Sequence, residues 1–322
     1  MHDLRRRTVL TAGSTAVLGA VAGPAFAAGS RPAGDARGGD VAMTWLGNAG
    51  WELRTAGSRV LVDPYLTRFD TGLARGAFDA TTALTVSATA VDDALGRPDP
   101  DDPVTATLVT HTHWDHFGDV PHVATTRGGT VFTTLTGYHL AQAMGLPAGR
   151  VATVRGGEEL HVGDVVVRVV RSLHSRSTNG GVLFPGVRTA RVDPPLTVAD
   201  LPEGDTLAYL VRAASGRSVL LMGASDFDDQ ALRGLRPDAV TMPVPSNAVT
   251  AGYVERLLDA LDGPRTVVPV HWDHFESPLA NPPAAMDRGT ADRLRAMCDE
   301  VTRRAPRTRI VLPRYLEPLR LM

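Results

Sequence analysis

Three histidines and one carboxylate fall within six residues in His111-Thr112-His113-Trp114-Asp115-His116, directly after the apolar run Leu108-Val109-Thr110. In an extended loop His111 and His113 point the same way, because side chains alternate with period two, while Asp115 and His116 fall in the following turn and can face a second point nearby. One loop can thus serve two metal ions. Neutral imidazole and ionised carboxylate suit zinc near neutral pH, with iron and manganese as alternatives. Cys298 is the single cysteine of the chain, so neither a Cys-rich zinc site, an iron–sulfur cluster nor an internal disulfide can be built, and any metal must be held by His, Asp and Glu.

The rest of the chain must position that loop. Its 322 residues, 43% hydrophobic and 21% charged, are enough for one large globular domain or two small ones and make disorder an unfavourable reading. The 33 basic and 35 acidic residues leave a formal charge of −2, with no overall positive field for nucleic acid or an anionic membrane, so a small-molecule substrate is the expected partner. All the basic side chains other than histidine are arginine, which excludes Schiff-base chemistry and the lysine-dependent phosphate loop.

Short β-type runs, each ending near Gly, Asp, Pro or His, predict strands at 42–46, 60–62, 105–109, 130–133 and 165–170, and again at 206–211, 218–222, 239–244, 266–270 and 308–312. Helical spacing appears at 138–144, 253–261 and 291–303. Two β-rich halves with outer helices point to a layered α/β sandwich. Residues 90–104, acidic and proline-rich, and 175–205, rich in Gly and Pro, read as long connectors of the kind that often carry function.

His111, His113, Asp115 and His116 match the H-x-H-x-D-H motif, and the chain from residue 41 to about 275 resembles the metallo-β-lactamase-fold hydrolases. Trp45-Leu46-Gly47-Asn48-Ala49-Gly50-Trp51, followed by Val60-Leu61-Val62-Asp63-Pro64, is similar to the opening hairpin of the branch holding ascorbate-6-phosphate lactonase-like and N-acyl-phosphatidylethanolamine phospholipase D-like proteins. The resemblance implies a four-layer αββα sandwich. It also implies His174, at the end of the run 165–170, as third histidine of the first metal, and His271, at the end of 266–270, as a ligand of the second. Asp115 and a bridging aspartate complete the second set, which His116 joins as the neighbour of Asp115. Many relatives place the bridging aspartate directly after glycine, whereas here Gly223 is followed by Ala224-Ser225-Asp226, so Asp226 comes two residues late. A shifted turn delivers it, or the second site is labile or missing. Asp63 is expected beneath the metal loop, supporting it. Asp273 and His274 belong to His271-Trp272-Asp273-His274-Phe275, which repeats His113-Trp114-Asp115-His116-Phe117 residue for residue, and are candidates for support around the metals or for structural polar contacts.

The chemistry so implied is attack of a metal-bound hydroxide, oriented by Asp115, on a carbonyl or phosphoryl centre: a zinc-dependent hydrolase of a lactone, ester, amide or phosphodiester. An iron-dependent oxidoreductase on the same fold and a non-catalytic metal-binding protein are the alternatives. Arg176, Arg188 and Arg191, on the loop after His174, either clamp an anionic group or remain solvated. At the N-terminus, paired arginines before Thr8-Val9-Leu10, an apolar run and Ala25-Phe26-Ala27 resemble a twin-arginine signal peptide. The expected organisation is therefore signal peptide 1–27, linker 28–40 and an exported hydrolase domain 41–322.

Overall fold

The apolar, β-branched runs pair into two sheets in the structure, a computed structural model that describes residues 41–246 and 249–320. The expected signal peptide and linker lie outside the described residues. In chain order the first sheet is built from β1 (Ala42–Gly47), β2 (Gly50–Arg54), β3 (Arg59–Val62), β4 (Ala106–Leu108), β5 (Thr130–Thr133) and β6 (Val151–Thr153). The second follows with β7 (Glu159–Val162), β8 (Val165–Leu173), β9 (Leu207–Arg212), β10 (Ser218–Met222), β11 (Asp226–Phe227), β12 (Ala239–Pro243), β13 (Thr266–Val270) and β14 (Arg309–Ile310). Finally β15 (Pro318–Arg320) returns to the first sheet and pairs antiparallel with β1.

Both sheets share one design. Each has an antiparallel portion, β1-β2-β3 in one and β7-β8-β9-β10 in the other, and continues with parallel strands, β3-β4-β5-β6 and β10-β12-β13-β14. Parallel neighbours need long crossovers, usually helical. The chain supplies them as α1 (Ala88–Leu95), α2 (Trp114–Phe117), α3 (Val120–Arg127) and α4 (Leu135–Ala143) on the first sheet, and α5 (Asp229–Leu232), α6 (Tyr253–Ala260) and α7 (Arg288–Arg304) on the second. The inner faces meet in one core, where Met43, Trp51, Val60 and Leu108 pack with Val167, Val169, Tyr209 and Leu220. Leu257 of α6 and Val301 of α7 extend that core outward, while Val123 and Leu140 seal the far face of the first sheet. This is the four-layer αββα sandwich.

Residues 90–104 are not wholly connector. Ser87 caps α1 by accepting the Ala90 N–H, and Val91, Ala94 and Leu95 bury one face; the acidic and proline-rich residues that follow mask this short helix in the sequence. Residues 175–205 are irregular, apart from one 3-10 turn at Val198–Asp200.

Tyr209 of β9 crosses the core to donate its hydroxyl to the Val109 carbonyl at 2.7 Å, tying the second sheet to the chain just before the histidine loop. Tyr209→Phe strands that buried carbonyl and should cost about 1–3 kcal/mol, read as a lowered urea midpoint with an unchanged slope.

Candidate metal centre

The sheets end in loops at one edge, and those loops carry the chemistry. Asp63, directly after β3, adopts φ 40° and has a fully buried carboxylate. It accepts the Thr110 N–H at 2.7 Å, the Thr110 hydroxyl, and the His116 Nδ1–H at 2.8 Å. A β-carbon on Gly223, at the end of β10, would lie 2.0 Å from Thr110 Oγ1, so only glycine lets the second sheet approach this anchor.

Around it, six side chains gather in two adjoining groups. His111, His113 and His174 form one; Asp115, His116 and His271 form the other; within each, the available ligand atoms lie within 4.8 Å of one another. The His111 and His116 rings, 3.9 Å apart between centroids, mark where the groups meet. Outward hydrogen bonds select which nitrogen keeps its lone pair. His113 Nε2–H donates to the Leu183 carbonyl at 2.8 Å, leaving Nδ1; His174 Nδ1–H donates to the Ser175 carbonyl at 2.7 Å, leaving Nε2; His116, bound to Asp63 through Nδ1, turns Nε2 toward the Asp115 carboxylate. His111 Nδ1 lies 3.1 Å from the Thr110 hydroxyl, which is itself committed to Asp63, and its Nε2 is buried with no hydrogen-bond partner. An orphaned imidazole nitrogen among neutral histidines fits a metal ligand set of the zinc type.

The groups differ electrostatically. Burial, reinforced by the neighbouring imidazoles, holds His111 well below the usual histidine range and His113 at about 3. Burial likewise lowers His174 to about 4. In the second group burial opposes the charged form of His116, but Asp115 and Asp63 outweigh it and raise the imidazole to about 10. Burial also opposes ionisation of Asp115, and His116 and His271 overcome it, holding the carboxyl well below its ordinary value.

Asp226 is not brought to either group. It lies in β11, paired with the end of β8, where its Oδ1 accepts the Phe227 N–H at 2.9 Å and lies 3.6 Å from Arg256 of α6. The short strand turns the carboxylate toward the helix layer. Asp273 and His274 also stand outside both groups. Asp273, fully buried, accepts from Arg68 at 2.6 Å, the Tyr315 hydroxyl at 2.8 Å and the Asn48 N–H at 2.9 Å, whereas His274 Nδ1 is buried without a partner. Asn48, Arg68 and Tyr315 lie outside any histidine- or carboxylate-rich run, so no local pattern of the sequence marks them. Arg176 folds back to donate to the Gly180 carbonyl of its own loop.

These protonation states have a measurable consequence. Above pH about 4 the first group is neutral, so an ion binding there displaces no imidazole proton; an ion at the second group must displace the His116 proton from Nε2. Between pH 6 and 9 first-group affinity should be flat, while second-group affinity rises about tenfold per pH unit with about one proton released per ion. Calorimetric titration in buffers of differing ionisation enthalpy reads both.

Comparison with known proteins agrees with this geometry. Residues 42–271 match the family model described as a beta-lactamase superfamily domain. The chain is 28% identical over 284 residues to a UPF0173 metal-dependent hydrolase of Cupriavidus necator, covering 83% of this chain and 87% of that protein. A UPF0173 metal-dependent hydrolase of Methylobacterium nodulans is 30% identical over 249 residues, covering 75% and 88%. Igni18, a metallo hydrolase of Ignicoccus hospitalis, shares the fold with a TM-score of 0.54 at 17% identity, covering 87% of this chain and 97% of that one. The loops that end these strands thus gather groups that could hold metal in a chain whose relatives are metal-dependent hydrolases, and the chain belongs to the UPF0173 family of the metallo-β-lactamase superfamily.

Proposed function

We propose that the chain is an exported, zinc-dependent hydrolase with His111, His113 and His174 holding one ion and Asp115, His116 and His271 a second. The observation that carries this reading is the pair of adjoining three-residue groups, with three of the histidine lone pairs aimed by hydrogen bonds to protein oxygens. When bound, zinc polarises a carbonyl or phosphoryl oxygen and makes water acidic near neutral pH. Asp115 orients the attacking water: its Oδ2 lies 3.4 Å from both His116 Nε2 and His271 Nε2, and the carboxylate is ionised. His174 and His271 are the half-buried members of the groups, so the substrate approaches from their side. The substrate class is a small molecule with a hydrolysable lactone, ester, amide or phosphodiester bond, which the similarity of the opening hairpin to lactonase-like and phospholipase-like proteins supports. Asp226, held at Phe227 and facing Arg256, is not needed in this arrangement.

Export rests on the N-terminal sequence, and residues 41–322 are read as the mature hydrolase domain with its linker at 28–40. Among the described residues no helix is long and apolar enough to cross a membrane. Replacing Arg6 and Arg7 with lysine should hold the protein inside the cell with residues 1–27 attached, whereas the exported wild type should begin at Ala28 by N-terminal mass spectrometry.

Metal analysis of protein purified without added metal tests the centre. Two zinc ions per chain are expected in wild type and in Asp226→Ala, and one in Asp115→Ala, whose turnover of an ester, lactone or phosphodiester panel should fall about 10²–10⁴-fold. Iron with oxygen uptake would replace this reading by the oxidoreductase one, and loss of an ion in Asp226→Ala would return that residue to the site.

A further inference from the structure

Asn48 occupies the turn between β1 and β2, fully buried and in the left-handed region at φ 51°. It is not a ligand and does not titrate, yet it reaches two of the three second-group ligands. Its carboxamide N–H donates to the Asp115 carbonyl at 2.8 Å and to Asp115 Oδ2 at 3.1 Å. Its backbone carbonyl accepts the His271 N–H at 3.0 Å, together with the Trp45 indole N–H. His271 is itself left-handed at φ 58°, which a non-glycine residue keeps only where its surroundings hold it. Asp115 and His271 come from loops more than 150 residues apart in the chain, and Asn48 joins them from a third segment.

The amide orientation is fixed by chemistry, because a flipped carboxamide would turn its oxygen onto two acceptors, the carbonyl and the carboxylate of Asp115. The residue is also held from behind. Its N–H donates to Asp273 Oδ1, and Asp273 is paired with Arg68 and Tyr315. The neighbouring Gly47, at φ 89°, has no room for a β-carbon, which would meet Arg68 Nη1 at 2.0 Å. The first group is braced by other partners: His111 by Thr110, His113 by Leu183 and His174 by Ser175.

We propose that Asn48 is the positioning residue of the second metal group: it sets the Asp115 carboxylate against the His271 backbone, so that affinity for the second ion depends on it and affinity for the first does not. This rests on the two-ion reading above. The test is titration of metal-free protein with Zn²⁺ and with Co²⁺, the latter followed by its visible bands, for wild type, N48G and N48D. Glycine adopts the left-handed conformation without strain and removes only the side chain; aspartate keeps the volume and tolerates the conformation but presents an oxygen where Asp115 needs a donor.

In both variants the second step should weaken about 10–100-fold, as for other residues that brace a metal ligand, while the first step stays at its wild-type value; the thermal midpoint of the metal-free protein falls in both, because a buried donor is lost or a buried carboxylate is added. Two unchanged steps in N48D would overturn the proposal. So would equal weakening of both steps, which is what a purely structural role gives. A single step in wild type would overturn the two-ion reading and this proposal together, whereas two steps in wild type with no selective loss in the variants would remove only Asn48.

Discussion

A carboxylate taken out of water must be given donors or it does not stay charged, and this requirement organises the loops around the metal centre. Asp63, Asp119 and Asp273 are fully buried, and Glu276 nearly so. Each is satisfied by groups from distant parts of the chain. Asp63 takes Thr110 and His116; Asp119 takes the backbone N–H groups of Leu66 and Thr67 and the Thr67 hydroxyl; Asp273 takes Asn48, Arg68 and Tyr315; Glu276 takes Thr71, Leu73 and Ala74. The segment 63–76 is thereby fastened to the histidine loop on one side and to the 273–277 loop on the other. Both metal-binding groups rest on that frame.

The frame makes the two groups unlike. The first consists of three imidazoles kept neutral by burial, ready to receive a cation with no proton to displace. The second sits between Asp115 and Asp63, and these carboxylates hold a proton on His116 until something of higher charge takes its place. A dication therefore meets bare lone pairs in one group and a competing proton in the other, although both groups draw members from the same 111–116 loop. The asymmetry follows from the two carboxylates that flank His116, Asp115 on one side and the buried Asp63 on the other.

How much of this was legible in the sequence depended on whether local chemistry or long-range packing decided the outcome. Runs such as Ser218–Met222 and Thr266–Val270 form strands with the expected bounds because their apolar patterning is local. The ligand-rich loop was legible because its residue types have few other uses. The two His-Trp-Asp-His-Phe pentapeptides mark the limit. The first supplies His113, Asp115 and His116 to the two clustered groups, whereas in the second only His271 joins one and Asp273 turns inward to Arg68. Identical side chains took different roles because one copy opens helix α2 and the other begins on a residue in the left-handed region, His271, within a loop bridged to Ala285. Asp226 was placed by analogy with a turn, but strand pairing with β8 fixed its direction instead. Asn48 was invisible as a functional residue because its role exists only once three distant segments have met.

The return of β15 to the edge of β1, with Tyr315 just before it, divides the labour along the chain. The six clustered side chains all lie between His111 and His271. The hydroxyl that Asp273 accepts from, and the strand beside β1, come from a later segment that contributes nothing to either group. The residues that gather and part of what steadies their surroundings are thus encoded in separate stretches of sequence, so a change in the 315–320 segment can reach the centre without touching a member of either group.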